Sequence, residues 1–261
     1  MLKLEQLSEI FVFAHQDDES AVYQKIVDAL QEGRRVLCVF VTSGMTKGLD
    51  SSRRNNESTL VLTSLGVTSD HIYFAGDIVG ITDGDLVNRL DQAAQWLESF
   101  FLSNRPVNRI FLPAWEGGHP DHDALHAIGV SIGKKHSFLD AMRQYSLYNG
   151  YHCKGPLFRT FLPLQQNGLV EKEKISWPNR ITFLKNCLQY PSQAKTWIGL
   201  FPMMLIHYIF WGTQNLQPVS FKRIMNRPHS GSLYYERRRF AVYENVHQKI
   251  RTFISKNNES N

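Results

Sequence analysis

The sequence predicts an α/β protein: a Rossmann-like parallel sheet with helices on both faces, plus a C-terminal α+β extension. Short apolar runs alternate with helical patterns over residues 8–136, and this order predicts parallel strands joined by right-handed crossovers. The 261 residues are 43% hydrophobic and 20% charged, which suits a globular protein with a sizeable core. We therefore expect a single domain over 1–261, with a core at 1–136 and an extension at 137–261.

Each element of the core follows from its own pattern. Continuous apolar runs predict buried strands, and apolar residues three or four positions apart predict helices that end near glycine. The predicted strands are Ile10–Ala14, Val36–Val41, His71–Phe74 and Arg109–Pro113. The predicted helices begin near Val22, Asn55, Asp85 and Asp121 and end near Gly33, Leu65, Leu102 and Lys135. Predicted loops cover Thr42–Ser52, with its Gly44 and Gly48, and begin again at Gly76.

The extension has weaker patterns. We expect a helix over Phe138–Tyr148, a strand over Leu157–Leu162 and a helix over Pro178–Gln189. No GxGxxG follows the first strand, so the sequence does not indicate a dinucleotide cofactor.

One stretch of the extension, Thr196–Phe221, contains no Asp, Glu, Lys or Arg. Its core, Trp197–Trp211, contains Pro202 and is shorter than the roughly 20 apolar residues of a membrane-spanning helix. Two alternatives remain for it. It forms a hydrophobic layer buried against the sheet, or it forms an interfacial surface that docks on a bilayer, where Trp and Tyr are favoured.

Charge and cysteine content exclude several classes of protein. Lys and Arg number 29 against 24 acidic residues, a formal charge of +5, which is too mild for a nucleic-acid-binding protein. The three cysteines are scattered and form no CxxC, so neither a disulfide framework nor a cysteine zinc site is indicated. The N-terminal apolar run is too short for a signal peptide. We expect a reducing, cytoplasmic compartment.

Ionisable side chains follow the first predicted strand at once: His15, Asp17, Asp18 and Glu19. In open α/β sheets, ligands bind beyond the C-terminal ends of the strands. Acidic residues in a first helical turn also cap the helix, but capping does not explain a histidine three residues before an aspartate. His15 and Asp18 can converge on one point while Asp17 faces a neighbouring one. This spacing predicts a metal site with a base beside it.

The predicted Arg109–Pro113 strand leads into a second cluster, which completes the metal site. A catalytic zinc usually has three protein ligands and an open position, and His15, Asp18 and His122 supply that set. The alternative pairs His122 with His126, one helical turn later. Otherwise His126 is a partly buried helix histidine.

Three neighbours of these ligands have predicted catalytic roles. Zinc chemistry still needs a base and a donor for the leaving group, and Asp17 and His119 are the candidates. Asp121 would hydrogen-bond His119 and favour its imidazolium form. The alternative for Asp121 and Asp123 is helix capping, which we prefer for Asp123.

A family resemblance rests on both clusters. The sequence AHQDDE at Ala14–Glu19 resembles the AHPDDE motif of the PIG-L/LmbE-like zinc deacetylases, and the sequence GHPDH at Gly118–His122 resembles their second motif, HPDH. Gln16 stands where the family motif has proline. This difference affects the shape of the turn, but it does not remove a ligand. Weaker matches extend the resemblance over residues 9–193. They are Arg54–Glu57 with Leu65-Gly66, Phe74–Asp77, and the segment from Leu184 to Gln193.

The resemblance implies a zinc-dependent hydrolase that removes an N-acetyl group from an amino sugar, often N-acetylglucosamine in a glycoconjugate. One Zn²⁺, or another divalent metal, would be held by His15, Asp18 and His122. Asp17 would be the general base, and His119 would stabilise the tetrahedral intermediate.

The resemblance also implies a substrate-binding pair. Arg54 and Asp77 would bind sugar hydroxyls or a nearby phosphate, although Arg54 could instead be a solvated arginine at a helix start. Membrane docking of residues 197–211 would place the site over a lipid-linked amino sugar at the inner face of the membrane.

Two other functions compete with this one. Clustered Asp and His also build the two-metal sites of phosphohydrolases, but the sequence supplies ligands for one metal. A non-catalytic sugar- or nucleotide-binding module would lack a base or a ligand, and the sequence retains both.

Overall fold

The computed structural model of the chain describes residues 6–45 and 50–259. The strands are β1 (Ser8–Phe13), β2 (Arg35–Phe40), β3 (Ile72–Phe74), β4 (Val107–Pro113), β5 (Met142–Tyr145), β6 (Tyr148–Asn149), β7 (Arg159–Thr160), β8 (Glu171–Lys174) and β9 (Thr213–Pro218). The helices are α1 (Tyr23–Gln31), α2 (Ser52–Ser64), α3 (Ala75–Val79), α4 (Leu90–Ser103), α5 (Pro120–Lys135), α6 (Trp177–Cys187), α7 (Ala194–Phe210), α8 (Tyr234–Arg237) and α9 (Tyr243–Glu259).

Within the described residues, seven strands form one sheet in the order β3-β2-β1-β4-β5-β9-β8. The first five strands in this order are parallel, while β9 runs antiparallel to both β5 and β8. Strands from both sides of residue 136 therefore belong to the same sheet. The division of a single domain into core and extension stays a prediction.

Side chains of β1 alternate between two hydrophobic layers, one on each face of the sheet. Ile10 and Val12 pack in a layer with residues of α4, α5 and α9. Phe11 and Phe13 pack on the opposite side with residues of α1, α2, α6 and α7. Successive side chains of a strand point to opposite faces, so helices cover both faces of the sheet, as the sequence predicts.

The predicted core elements are confirmed within a few residues, with one correction. The chain does not enter a loop at Gly76 but forms the short helix α3. A Cβ atom at Gly76 would lie 2.0 Å from the carbonyl carbon of Thr42, so only glycine allows this close approach. Residues 46–49 of the predicted Thr42–Ser52 loop, with Gly48, lie outside the described residues.

The extension corrects a second prediction. Phe138–Tyr148 is not an α-helix, since after a 3-10 turn at Leu139–Ala141 it contains β5 and the first residue of β6. Met142 pairs with Ile110 of β4, and this pairing satisfies an otherwise open sheet edge. The predicted strand over Leu157–Leu162 is reduced to the two residues of β7. The helix predicted over Pro178–Gln189 is α6, and the Ser176 side chain caps it by accepting the Asn179 N–H.

The uncharged stretch forms α7 and β9, and the first alternative, a buried hydrophobic layer, is correct for one side of α7. Docking on a bilayer stays a prediction. One side of α7 is buried through Trp197, Met204 and Tyr208. The other side leaves large apolar residues exposed, including Phe210 at 74% of its surface. Among the described residues, no helix has the length and apolar character needed to cross a membrane.

Candidate metal centre

Sheet topology brings the two predicted clusters together. β1 and β4 are parallel neighbours, with Ile10 beside Ile110, so the loops that follow them leave the same edge of the sheet. His119 is the N-cap of α5, and Pro120 occupies its first turn, where a missing N–H costs no hydrogen bond. The sequence-predicted convergence at one sheet edge is therefore present.

The three predicted metal ligands lie together. His122 Nε2 lies 3.2 Å from Asp18 Oδ1, and His15 Nδ1 lies 3.7 Å from Asp18 Oδ2. The potential ligand atoms of His15, His119 and His122 lie within 4.8 Å of one another, a grouping that does not include Asp18. The other oxygen of Asp18, Oδ2, accepts the N–H groups of Ala14 at 3.0 Å and His15 at 2.8 Å. These two bonds turn Oδ1 toward His122.

This donor set fits a divalent metal such as zinc. Two ligand atoms about 2.0–2.1 Å from a tetrahedral zinc lie roughly 3.3 Å apart, close to the separation of His122 and Asp18. Burial opposes ionisation of Asp18, but the neighbouring His122 and His15 outweigh it and lower its pKa to about 2. Asp18 is therefore a carboxylate, the form that binds metal.

Asp121 contacts a different histidine from the one that the sequence predicts. Its Oδ2 lies 3.1 Å from His15 Nε2 and accepts the Gly84 N–H at 2.7 Å. Its backbone N–H, not its carboxylate, bonds His119, by donating to Nδ1 at 3.2 Å. Asp121 acts to raise the pKa of His119, as predicted, but other effects outweigh it. Burial, together with the positive charge of His15, lowers the pKa of His119 to about 4.

A carboxylate that sequence analysis missed, Asp83, also faces this cluster. Asp83 Oδ1 lies 3.2 Å from His15 Nε2 and 3.8 Å from His119 Nε2. Burial lowers the pKa of His15, but Asp83, Asp121 and Asp18 outweigh it and hold that pKa well above the ordinary value. A second potential metal grouping consists of His15, Asp83, His119 and Asp121. It shares two histidines with the first, so the two groupings overlap.

Asp17 occupies an unusual backbone conformation beside the ligands. Its φ is 109°, a left-handed value that is costly for a residue with a side chain. The Asp17 N–H donates to Glu19 Oε2 at 2.8 Å, and Tyr190 Oη donates to Glu19 Oε1 at 2.7 Å. Burial raises the pKa of Asp17 to about 8, although the Arg54 guanidinium, 3.7 Å away, acts to lower it.

The predicted substrate-binding pair differs in exposure. Arg54 is buried, so it is not a solvated arginine, and it donates to the carbonyls of Gln16 and Gly44. Asp77 is exposed and accepts hydrogen bonds from Ser51 Oγ and Asn55 Nδ2. Asn55 in turn accepts from Gln16 Nε2 at 2.7 Å. Gln16, at the position of the family proline, therefore links the loop after β1 to α2.

His126 and Asp123 do not join the metal ligands. His126 Nδ1 donates to the Pro113 carbonyl at 2.8 Å, and within the described chain neither metal grouping includes His126. Asp123 Oδ1 accepts the N–H groups of Glu116 and Gly117. It supports the loop before α5, which is close to the capping role that we prefer for it.

Aromatic side chains border the cluster, and sequence analysis did not identify them. Tyr148 lies with its ring centroid 5.5 Å from that of His122, and Phe240 lies 5.8 Å from His119. Phe240 is 56% exposed. Both residues come from the extension, far along the chain from the metal motifs, so no local pattern indicates them.

Comparison with known proteins agrees with this geometry. The sequence model of the PIG-L family, described as GlcNAc-PI de-N-acetylase, matches residues 10–132. A search of curated proteins found no significant match.

Solved structures share the fold. A deacetylase of teicoplanin biosynthesis is 15% identical with a TM-score of 0.63, over 82% of this chain and 98% of that chain. The A40926 pseudoaglycone deacetylase is 17% identical with a TM-score of 0.60, over 85% and 98%. The N,N'-diacetylchitobiose deacetylase from Pyrococcus horikoshii is 14% identical with a TM-score of 0.53, over 83% and 84%.

Proposed function

Because the sequence model of the PIG-L family matches residues 10–132, we propose that the protein is a metal-dependent hydrolase that removes the N-acetyl group from an N-acetylglucosamine-type amino sugar. The observation that carries the proposal is that His122 and His15 both lie beside Asp18, at 3.2 Å and 3.7 Å, with Asp17 next to Asp18 in the chain. Deacetylase activity in the solved structures of the same fold agrees with this proposal.

In this proposal His15, Asp18 and His122 hold one Zn²⁺ or another divalent metal. Such a metal supplies Lewis acidity, which polarises an amide carbonyl and lowers the pKa of water. Asp121 orients His15, because its carboxylate Oδ2 lies 3.1 Å from Nε2 of the His15 ring. Carboxylates that orient metal-binding histidines in this way also raise their basicity.

The residues around the metal move the protons. Water attacks the acetyl carbonyl, and Asp17 accepts the proton that the water loses. The positive charges of Arg54 and of a bound metal would favour the carboxylate form of Asp17 that this step requires. The breaking C–N bond leaves an amine, which takes a proton back from Asp17. Acetate and the free amino sugar are the products.

His119 acts as a neutral hydrogen-bond donor in this scheme. Its Nδ1 accepts the Asp121 backbone N–H, so its own proton resides on Nε2. Its lowered pKa keeps the ring neutral at pH 7. Nε2–H then donates to the oxygen on which negative charge develops.

Substrate contacts extend from this centre. Asp77 is exposed and binds sugar hydroxyls in our proposal. Arg54 is buried near Asp17. This position supports a role in fixing the loop that carries Asp17, in addition to the predicted contact of Arg54 with substrate. We include in the proposal a lipid-linked substrate, a cytoplasmic location, and membrane contact through 197–211.

Acetate release from N-acetylated sugars tests the function. The purified protein, loaded with Zn²⁺, is incubated with N-acetylglucosamine, its β-glycosides and its phosphodiesters, and acetate and free amine are measured. We expect equal amounts of both products from at least one substrate, and loss of activity with a chelator. Phosphate release without acetate would instead identify a phosphohydrolase.

A further inference from the structure

The ring of Tyr148 adjoins the metal centre, although neither sequence motif includes this residue. Its centroid is 5.5 Å from that of His122, and the two rings meet edge to face at 64°. The His119 ring also contacts that of His122, with centroids 5.3 Å apart. Tyr148 and His119 therefore both adjoin the same predicted metal ligand, and each has a group that can donate a hydrogen bond.

The backbone of Tyr148 is held by the loop that leads into His119. The buried carboxylate of Glu116 accepts the Tyr148 N–H at 3.0 Å. The Tyr148 carbonyl packs so closely on Gly118 that a Cβ atom at this glycine would collide with the carbonyl oxygen. Because Glu116 and Gly118 lie in the loop just before His119, these contacts fix the position of Tyr148 relative to the metal centre.

Neighbouring rings restrict the side chain of Tyr148. Phe158 and Tyr234 contact its ring edge to face, at centroid distances of 6.0 Å and 5.7 Å. Together with His122 they place three rings around that of Tyr148, so the direction of its hydroxyl is set before a substrate binds. A donor that is fixed in advance loses little conformational entropy when it meets its acceptor.

The hydroxyl of Tyr148 lies toward the carboxylates of the metal centre. Burial raises the pKa of Tyr148 well above its ordinary value, and the negative charges of Asp18, Asp17 and Asp83 raise it further. Because the effect of a charge weakens with distance, the hydroxyl must lie near these three groups. It makes no hydrogen bond to any residue that the structure describes, so its proton is available to a ligand.

We propose that the Tyr148 hydroxyl is a second hydrogen-bond donor to the acetyl oxygen of the substrate, alongside Nε2–H of His119. This inference rests on the proposed function, since it adds a catalytic residue to the same reaction. As negative charge develops on the acetyl oxygen, both donors stabilise it. Tyr148 keeps its own proton throughout, because the ordinary pKa of tyrosine, about 10, leaves the hydroxyl protonated at pH 7.

Tyr148→Phe tests the assignment, because it removes the hydroxyl and keeps the ring. We expect kcat for acetate release to fall by about 10²- to 10³-fold, the usual effect of losing one such donor, while KM and metal content stay near those of the wild type. Tyr234→Phe is the matched control, since it removes the same group from the neighbouring ring. Burial raises the pKa of Tyr234, whereas Arg238 and Arg237 lower it. Its hydroxyl therefore lies near these arginines, and the control should keep the wild-type kcat.

A binding measurement without turnover separates this inference from the proposed function. Methylphosphonate is a tetrahedral anion that has the methyl group of the acetyl intermediate, and calorimetry measures its binding to the Zn²⁺-loaded protein. We expect Tyr148→Phe to bind it about tenfold more weakly or worse, the effect of one hydrogen bond to a charged group, and Tyr234→Phe to bind it like the wild type.

Three results would overturn the role of Tyr148. They are equal methylphosphonate affinity in the wild type and Tyr148→Phe, no binding by the wild type, and a Tyr148→Phe variant that raises KM alone. The last result would place the hydroxyl on the bound sugar and not on the reacting group. Binding that depends on Tyr148, without acetate release from any N-acetylated sugar, would support the donor and contradict the deacetylase function.

Discussion

Glu19 holds Asp17 in its left-handed conformation, because its carboxylate accepts the Asp17 N–H at 2.8 Å while Tyr190 Oη donates to its other oxygen. Glu19 is buried, and its two oxygens accept hydrogen bonds from Asp17 and Tyr190. Its role is positioning, and the strain at Asp17 is balanced by these two bonds.

Glu19→Ala is expected to lower kcat at least tenfold while metal content stays near that of the wild type. The substitution leaves the Asp17 N–H without its partner, at a cost of about 1–3 kcal/mol for an unsatisfied group. It also removes one partner of the Tyr190 hydroxyl, which still contacts Tyr23 Oη at 3.2 Å. Tyr190→Phe removes one of these bonds and should have the smaller effect. Steady-state kinetics with metal analysis checks both, and loss of metal in Glu19→Ala would instead place Glu19 among the ligands.

Asp17→Asn is expected to keep the metal but lose activity by about 10²- to 10⁴-fold, the usual effect of removing an acid–base group. Asparagine has nearly the same shape but cannot accept the proton from water. Metal content by mass spectrometry and acetate release provide the two measurements. Normal turnover by the variant would remove Asp17 from the proposed mechanism.

His122→Ala is expected to lose metal, and His126→Ala to retain it. His122 Nε2 lies beside Asp18, whereas His126 Nδ1 donates to the Pro113 carbonyl. The two variants delete the same side chain from the same helix, so each controls for the other. Equal metal content in the wild type and His122→Ala would contradict the assignment.

Stability should depend on pH through His126. Burial lowers the pKa of His126 to about 4, below its ordinary value, so the unfolded chain binds a proton there that the folded chain does not. This contribution is present above pH 6.5 and is lost as pH falls from 6.5 to 4. The loss amounts to about 2 kcal/mol between pH 7 and pH 5.

Urea unfolding of the wild type and His126→Asn at pH 7 and pH 5 measures this contribution of His126 to the free energy of unfolding. Asparagine retains a donor for the Pro113 carbonyl but does not titrate. The wild type should lose more stability than the variant on acidification, and parallel changes in both would show that His126 does not titrate in this window.

Phe240→Ala is expected to raise KM several-fold with a smaller change in kcat. Phe240 is exposed beside His119, where its ring can stack on a sugar. Phe240→Tyr should retain most of the affinity. A fall in kcat alone would indicate that the ring supports His119 rather than the substrate.

The sequence predicts well those site residues that directly follow a strand. His15, Asp17 and Asp18 come after β1, and the strand-end rule alone places them with the cluster after β4. Asp83 was missed because it follows α3 in a loop, and only the folded chain brings it to His15. Phe240 was missed for the same reason.

The strands of the sheet also differ in how well the sequence predicts them. β1, β2 and β4 are buried on both faces, so their continuous apolar runs identify them. β5 does not have such a run, and its pairing with β4 decides its structure. Local patterns cannot report a partner so distant in the chain.

The antiparallel strand β9 has a consequence for the order in which the chain is made. β5 ends at Tyr145, but its partner β9 begins at Thr213. During synthesis the β5 edge therefore stays unpaired until all of α6 and α7 has emerged, and an open edge is prone to pairing with other chains. A truncated protein that stops before Thr213 should aggregate even though every predicted metal ligand and the whole family-matched segment are present.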